Sequence, residues 1–147
     1  MTKITRLDPN PTNHCFGCGA ANQGGMLLAF EADNEKQRII GKFILGERYQ
    51  GGRGMAHGGI IALLLDEVMG KVCRFENVRA AVTAELNVQF LKPVLLTEEI
   101  VVEGWKEERK GRNLFLYGEI RDGAGVVLAK GKGRFVVLEP REPQKAE

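Results

Sequence analysis

The stretch that decides the fold is Gly51 to Phe75, which reads GGRGMAHGGIIALLLDEVMGKVCRF. It begins as a glycine-rich loop and continues through His57 into an apolar segment whose large residues recur every three or four positions. This spacing is typical of a helix with one buried face. The buried stripe consists of Ile61, Leu64, Leu65, Val68 and Val72. We therefore predict a helix from His57 to about Phe75, roughly 28 Å long at about 1.5 Å per residue.

On both sides of this helix the pattern predicts β-strands. The clearest alternation places Val82, Leu86 and Phe90 on one face of a strand, with polar residues between them. The six predicted strands span residues 26–30, 38–45, 82–90, 99–105, 114–120 and 126–138. Short turns between them favour antiparallel neighbours. A sheet of about six strands must wrap around one long apolar helix to bury it, so the predicted fold class is α+β with the helix as its core.

Length and composition predict a single globular domain. The chain has 147 residues, of which 44% are hydrophobic and 27% charged. We expect an N-terminal arm over residues 1–13, one domain over 14–138 and a flexible tail over 139–147. The net charge of +2 gives no indication of nucleic-acid binding. Neither a signal peptide nor a membrane span is visible, and the odd count of three cysteines favours a reducing cytoplasm.

A second motif lies near the N-terminus, where His14 precedes Cys15-Phe16-Gly17-Cys18-Gly19. The two-residue gap between Cys15 and Cys18 is that of a zinc knuckle, but a structural zinc site needs four ligands. The only other histidine and cysteine, His57 and Cys73, do not form a paired second half. We therefore prefer a tight glycine turn with buried thiols and predict no metal site.

Asp66 interrupts the apolar helix. At about 100° per residue it shares a face with small residues only, where another group can approach closely. These small residues are Gly59, Ala62, Gly70 and Cys73. Its neighbour Glu67 projects elsewhere and has Lys71 four positions on as an ion-pair partner. A buried carboxylate without a partner is costly, so Asp66 is either functional or bonded to a facing loop.

The start of the helix offers a second chemical group. Helix N-termini present free N–H groups, and Gly58 has no side chain to block access, so its N–H could stabilise an oxyanion. Gly58 and Asp66 are eight positions apart, about 12 Å along the axis. One site using both would therefore need two subunits. For His57 we prefer a helix-start role to that of a general base. The chain contains no serine, which excludes a serine hydrolase.

These residues together resemble a known family. The segment Arg53-Gly54-Met55-Ala56-His57-Gly58-Gly59 followed by Asp66 is similar to the signature of the hotdog-fold acyl-CoA thioesterases, in particular the phenylacetyl-CoA-pathway-like (PaaI-like) group. Bacterial members of that group begin with a Cys-Phe-x-Cys-Gly segment, as residues 15–19 do. The Thr83–Val88 strand also resembles the family, and the likeness covers residues 14–137.

The resemblance implies a hotdog fold, a homodimer with two sites at the subunit interface and often a homotetramer. It implies that Asp66 is the general base or nucleophile, that the Gly58 N–H polarises the thioester carbonyl and that Thr83 helps to place a water. His57 completes the candidate catalytic set. Strand alternation alone places Thr83 on the same face as Glu85.

Coenzyme A carries phosphates and needs cations. The resemblance favours the turn formed by Gly111, Arg112 and Asn113, and Lys132 on the last strand is a further candidate. The expected function is hydrolysis of an acyl-CoA to a free acid and coenzyme A. Coenzyme A is then part of the substrate, and no cofactor is expected. The alternatives are a non-catalytic acyl-CoA-binding sensor module, a hotdog hydratase or dehydratase and a small zinc-dependent interaction protein. The acyl group is left open.

Overall fold

The computed structural model describes residues 3–138, which form one antiparallel sheet around one α-helix. The strands are β1 (Ile4–Leu7), β2 (Phe30–Asp33), β3 (Arg38–Ile44), β4 (Ala81–Phe90), β5 (Glu99–Lys110), β6 (Asn113–Arg121) and β7 (Val127–Val137). The α-helix is α1 (Gly58–Val72), and short 3₁₀ turns span Glu47–Tyr49 and Cys73–Glu76. The strand order in the sheet is β1-β2-β3-β5-β6-β7-β4. The predicted fold class is confirmed, with seven strands instead of about six.

The predicted central helix is confirmed with slightly different ends. His57 caps its N-terminus, because its extended backbone stops the helix and its Nδ1 accepts a 2.8 Å hydrogen bond from the Gly59 N–H. After Val72 the chain tightens into the 3₁₀ turn and leaves at Asn77, whose φ of 54° is left-handed. Every residue of the predicted stripe is at most 2% exposed. The apolar pattern therefore identified the packing face correctly.

A row of three glycines lets the helix approach the sheet. Gly104, Gly118 and Gly131 are direct neighbours across β5, β6 and β7. A Cβ at Gly104 would lie 3.2 Å from the backbone oxygen of Val68, and one at Gly131 would lie 3.3 Å from the Met69 side chain. Such contacts are tighter than side chains normally make. The missing side chains thus set the distance between α1 and the sheet.

Two strand predictions differ from the structure. The extra strand β1 lies within the segment predicted as an arm and pairs with β2. The strand predicted over 26–30 was wrong for residues 26–29, which bond to the cysteine segment: the N–H groups of Met26 and Leu28 donate to the carbonyls of Phe16 and Gly17, each at 2.8 Å. The predicted tail over 139–147 lies outside the described residues.

A buried ion-pair network joins β3, β5 and β6. Glu103 is 7% exposed and accepts hydrogen bonds from Arg38 at 2.8 Å and from Arg121 at 2.7 Å. Burial alone would raise the pKa of Glu103, but the two arginines outweigh it and hold the pKa below its ordinary value of 4.5. The ionised carboxylate therefore contributes stability that is present above pH 4.5 and is lost as the pH falls through the lowered pKa.

We expect Glu103→Gln to lower the free energy of unfolding by about 2 kcal/mol at pH 7, the scale of hydrogen bonds to a charged group. Urea unfolding of both proteins from pH 7 downwards should show this difference shrink below pH 4.5. The control is Glu35→Gln, which breaks the exposed Lys3–Glu35 pair and should cost less than about 1 kcal/mol. A Glu103→Gln loss that is the same at pH 7 and pH 3 would contradict the electrostatic explanation.

Candidate active site

Asp66 lies on the half-buried side of α1 and, among residues 3–138, has one side-chain hydrogen-bond partner. The hydroxyl of Thr83, near the start of β4, donates a 2.6 Å hydrogen bond to Asp66 Oδ1. This bond fixes one carboxylate oxygen and leaves Oδ2 available to a substrate or a water. The structure therefore brings together two of the predicted catalytic residues, from segments 17 positions apart.

Thr83 reaches Asp66 because of a β-bulge. In the pairing of β4 with β7, Thr83 lies opposite Phe135, but Glu85 already lies opposite Arg134, so Ala84 is an extra residue. Such a bulge breaks the alternation of side chains. Thr83 consequently faces the helix, whereas simple alternation had placed it on the same face as Glu85. The alternation-based prediction was wrong for the residues before the bulge: for Thr83, and for Val82, which alternation had placed on the same face as Leu86 and Phe90.

The N-terminus of α1 presents a free donor. Within residues 3–138 the Gly58 N–H has no hydrogen-bond partner, since the cap formed by His57 bonds to Gly59 instead. The His57 N–H in turn donates to the Tyr49 carbonyl at 2.8 Å. With Nδ1 occupied as a helix cap, only Nε2 of His57 could contact a substrate. This geometry favours the helix-start role for His57.

A cavity opens beside Gly58. Its volume is about 320 Å³, and Met55, Ile61, Phe90 and Val94 make its wall mainly apolar. A Cβ at Gly58 would lie 3.6 Å from the Phe90 ring, so β4 passes both chemical groups: Phe90 lies beside Gly58, and Thr83 lies beside Asp66 in the middle of the helix. Within one chain the cavity and the carboxylate are therefore separated by about two helical turns.

The predicted coenzyme A residues fall into two places. Gly111 and Arg112 form the β5–β6 turn, with Gly111 at a left-handed φ of 60°. Arg112 Nε donates to the Val137 carbonyl at 3.1 Å, and Asn113 Oδ1 accepts from Arg134 at 3.1 Å. Lys132 is exposed on β7 opposite Asn87, away from this turn. The structure thus groups the turn residues and leaves Lys132 apart.

Sequence reasoning missed a basic cavity. A depression of about 510 Å³ beyond the C-terminal half of α1 is lined by four cations from three segments: Arg6, Lys71, Arg74 and Arg79. Gly70, one helical turn beyond Asp66, also lines it. The Leu138 N–H donates to the Ala80 carbonyl and the Val137 N–H to the Arg112 carbonyl, which places this cavity and the Arg112 turn at the same end of the sheet. No sequence spacing connects these cations.

The three cysteines are free thiols. Burial, with the nearby Glu76 carboxylate, raises the pKa of Cys73 to about 11, as expected for a packing residue. Burial also raises the pKa of Cys18 to about 11, although the Lys71 ammonium opposes the shift. The predicted Glu67–Lys71 ion pair does not form among the described residues. The Glu67 Oε1 instead accepts a 3.4 Å hydrogen bond from the Cys15 thiol.

Comparison with known proteins identifies the family. The thioesterase superfamily profile matches residues 53–129, more than half of the chain. The chain is 31% identical over 120 residues to an acyl-coenzyme A thioesterase, THEM4, of Mus musculus, covering 81% of this chain and 51% of that protein. The chain spans about half the length of the curated relatives it matches. This protein belongs to the thioesterase superfamily.

Solved structures give the same family. A crystal structure of a thioesterase superfamily protein superimposes with a TM-score of 0.77 at 31% identity, covering 84% of this chain and 60% of that chain. The PaaI protein of the E. coli phenylacetic acid degradation operon shares the fold, with a TM-score of 0.65 at 16% identity, over 70% of this chain and 74% of that one. The resemblance to hotdog thioesterases is therefore confirmed. Within residues 3–138, no helix is long and apolar enough to span a membrane.

Proposed function

We propose that this protein is an acyl-CoA thioesterase that uses Asp66 as its general base or nucleophile. The observation that carries the proposal is the 2.6 Å bond between Thr83 and Asp66, which orients a carboxylate on the central helix of a thioesterase-superfamily domain. The name of the matched mouse relative supports coenzyme A thioesters as the substrate class.

In this mechanism the free Oδ2 of Asp66 takes a proton from a water as that water attacks the thioester carbonyl. Thr83 holds the carboxylate in position. The carbonyl oxygen gains negative charge, and the Gly58 N–H at the positive end of a helix stabilises it. As the intermediate collapses, the C–S bond breaks and Asp66 returns its proton to the leaving thiolate, which releases coenzyme A as a thiol together with the free acid. Direct attack by Asp66 through an anhydride would use the same residues.

The distance between Gly58 and Asp66 supports a homodimer with composite sites. A site would then combine Asp66 and Thr83 of one chain with Gly58 of its partner. Strand β4 ends the sheet beyond β7, and its Val82 and Phe90 side chains are 46% and 60% exposed. An exposed edge with apolar side chains is a suitable pairing surface for a second copy. Pairing of two dimers into a tetramer is the larger assembly that we propose.

The basic cavity is the place that we propose for the phosphates of coenzyme A, together with the Arg112 turn. It lies beyond the C-terminal half of the helix and reaches Gly70, one turn from Asp66, so a thioester bound between Asp66 and a partner's Gly58 could extend towards it. The apolar cavity beside Gly58 would take the acyl group. A cytoplasmic location, which the free thiols support, would supply acyl-CoA substrates.

We expect Arg79→Ala, alone or with Arg74→Ala, to raise KM for acyl-CoA about tenfold with little change in kcat. Each variant removes a charged hydrogen bond to a phosphate, which is present in both ground and transition states. The matched control is Lys36→Ala, an exposed cation in the β2–β3 turn, which should leave KM unchanged. A normal KM in the double variant would show that the phosphates of coenzyme A do not bind in this cavity.

The deciding experiment measures free thiol release from a panel of aromatic and aliphatic acyl-CoAs by the purified wild-type protein. Hydrolysis of at least one member supports the proposal. If none is hydrolysed but acyl-CoAs bind in calorimetry, the protein is a non-catalytic acyl-CoA-binding module. If none binds, the thioester proposal is wrong.

A further inference from the structure

We propose that Cys15, Cys18 and Glu67 form a binding site for one Zn²⁺ ion, which fastens the N-terminal segment to α1. The sulfur atoms of Cys15 and Cys18 and a carboxylate oxygen of Glu67 all lie within 4.8 Å of one another. Thiolate and carboxylate groups are both zinc ligands, and thiolates select zinc over magnesium or calcium. A third ligand, which the sequence spacing did not reveal, comes from the helix, 52 positions beyond Cys15, and a water would complete the four.

The backbone holds the three ligands in position from two elements, the segment that carries Cys15 and Cys18 and the helix α1 that carries Glu67. Residues 15–28, which we term the cysteine loop, are fixed by backbone bonds: the Gly19 N–H donates to the Cys15 carbonyl at 2.9 Å, and the Leu28 N–H donates to the Gly17 carbonyl at 2.8 Å. Gly17 lies so close to Glu67 that any Cβ at this position would overlap the Glu67 carboxylate. The loop therefore presents its two thiols directly over Glu67 and needs little rearrangement to bind an ion.

The charges of the surroundings fit a zinc site. Two thiolates and one carboxylate around Zn²⁺ leave a formal charge of −1. The Lys71 ammonium, which interacts with Cys18, supplies the balancing +1. A cation that donates to a zinc-bound thiolate is a typical outer partner of such a site. All three ligands are half-buried, so a water can take the fourth tetrahedral position.

The proposed zinc site is independent of the proposed thioesterase activity. Glu67 adjoins Asp66 in sequence but projects about 100° away around the helix, towards the cysteine loop. The ion would act by anchoring the loop, and its presence is measured without any substrate. Activity without zinc would leave the thioesterase proposal intact, and zinc without activity would leave this one intact.

The test uses the full chain, purified under thiol reductant without chelators. We expect about one zinc per chain by elemental analysis. After removal of the metal, Co²⁺ should produce a thiolate-to-cobalt charge-transfer band, and added Zn²⁺ should raise the Tm. In competition with a chromophoric chelator, Cys15→Ala, Cys18→Ala and Glu67→Gln should each weaken zinc binding by at least about tenfold, the lower end of the loss measured for outer-shell partners.

The matched control is Cys73→Ala, which removes the remaining thiol outside the cluster and should bind zinc like the wild type. Circular dichroism shows whether each variant is folded. The cobalt spectrum of the wild-type protein tests thiolate binding of the metal by itself, even if a variant does not fold. The proposal is overturned if metal-free wild-type protein shows neither the cobalt band nor a zinc-dependent rise in Tm. It is equally overturned if Cys15→Ala and Cys18→Ala bind zinc as tightly as Cys73→Ala does.

Discussion

Asp66→Asn should lower kcat for acyl-CoA hydrolysis by at least about a hundredfold, the scale expected when a general base is removed. The amide keeps the shape of the carboxylate and can still accept the hydrogen bond from Thr83, so the fold should survive. It cannot take a proton from water and cannot attack a thioester. Thiol release under saturating substrate measures kcat, and circular dichroism establishes that the variant is folded.

The matched control for this variant is Glu67→Gln, also a carboxylate-to-amide change, one position along the helix, with both variants and the wild type assayed as metal-free protein. Glu67 faces the cysteine loop and not the substrate. The kcat of the Glu67→Gln variant should therefore stay within a few-fold of the wild-type value. Full activity in a folded Asp66→Asn protein would end the proposed mechanism. Equal losses in both variants would indicate a general effect on the helix instead of loss of a base.

Gly58→Pro should lower kcat about 10²–10³-fold, the cost of losing one oxyanion donor. Proline removes the N–H while preserving the helix, because Gly58 is the first helical residue, a position that proline favours. His57 before it already has the extended ψ of 137° that a following proline requires. Gly58→Ala is the control: it keeps the N–H, and its Cβ would lie at an ordinary 3.6 Å from Phe90. If the alanine variant lost activity and the proline variant kept it, the proposed role of the Gly58 N–H as an oxyanion donor would be contradicted.

The two inactive variants can be combined to test the composite site. In a dimer of one Asp66→Asn chain and one Gly58→Pro chain, one site contains both defects and the other contains neither. Random mixing makes half of the dimers mixed, so about a quarter of the wild-type activity should return. If each site lay within one chain, every site would keep one defect. No recovery after verified subunit exchange would refute the two-chain site.

The central helix could be predicted because burial of one face repeats along the sequence. On one face of the helix the apolar repeat runs from Ile61 to Val72 without a polar residue. Asp66 lies on another face and stands out there as a carboxylate among small residues. Gly58 and His57 could be placed because caps are local features. The first strand could not be predicted, because Ile4–Leu7 is short and is stabilised by pairing with β2, a contact between distant segments.

The parts of the site that were missed depend on three-dimensional proximity. The third member of the cysteine cluster, Glu67, lies on a helix distant in sequence, and its i+4 spacing to Lys71 suggested a different partner. The basic cavity joins Arg6 on β1 to Arg79 before β4, so its discovery required the sheet order. Thr83 could be assigned to the site only from the family resemblance, because the bulge at Ala84 reverses the face that alternation indicates.

That bulge has a consequence for variation in chain length. The contact of Thr83 with Asp66 depends on the number of residues in β4 as well as on their identity. Removing Ala84 would leave Thr83 opposite Phe135 and Glu85 opposite Arg134, so regular alternation would then keep Thr83 towards the helix and Glu85 on the outer face. A deletion of Ala84 would therefore keep the hydroxyl beside the carboxylate, whereas an additional residue at the same point would preserve the contact only if a larger bulge accommodated it.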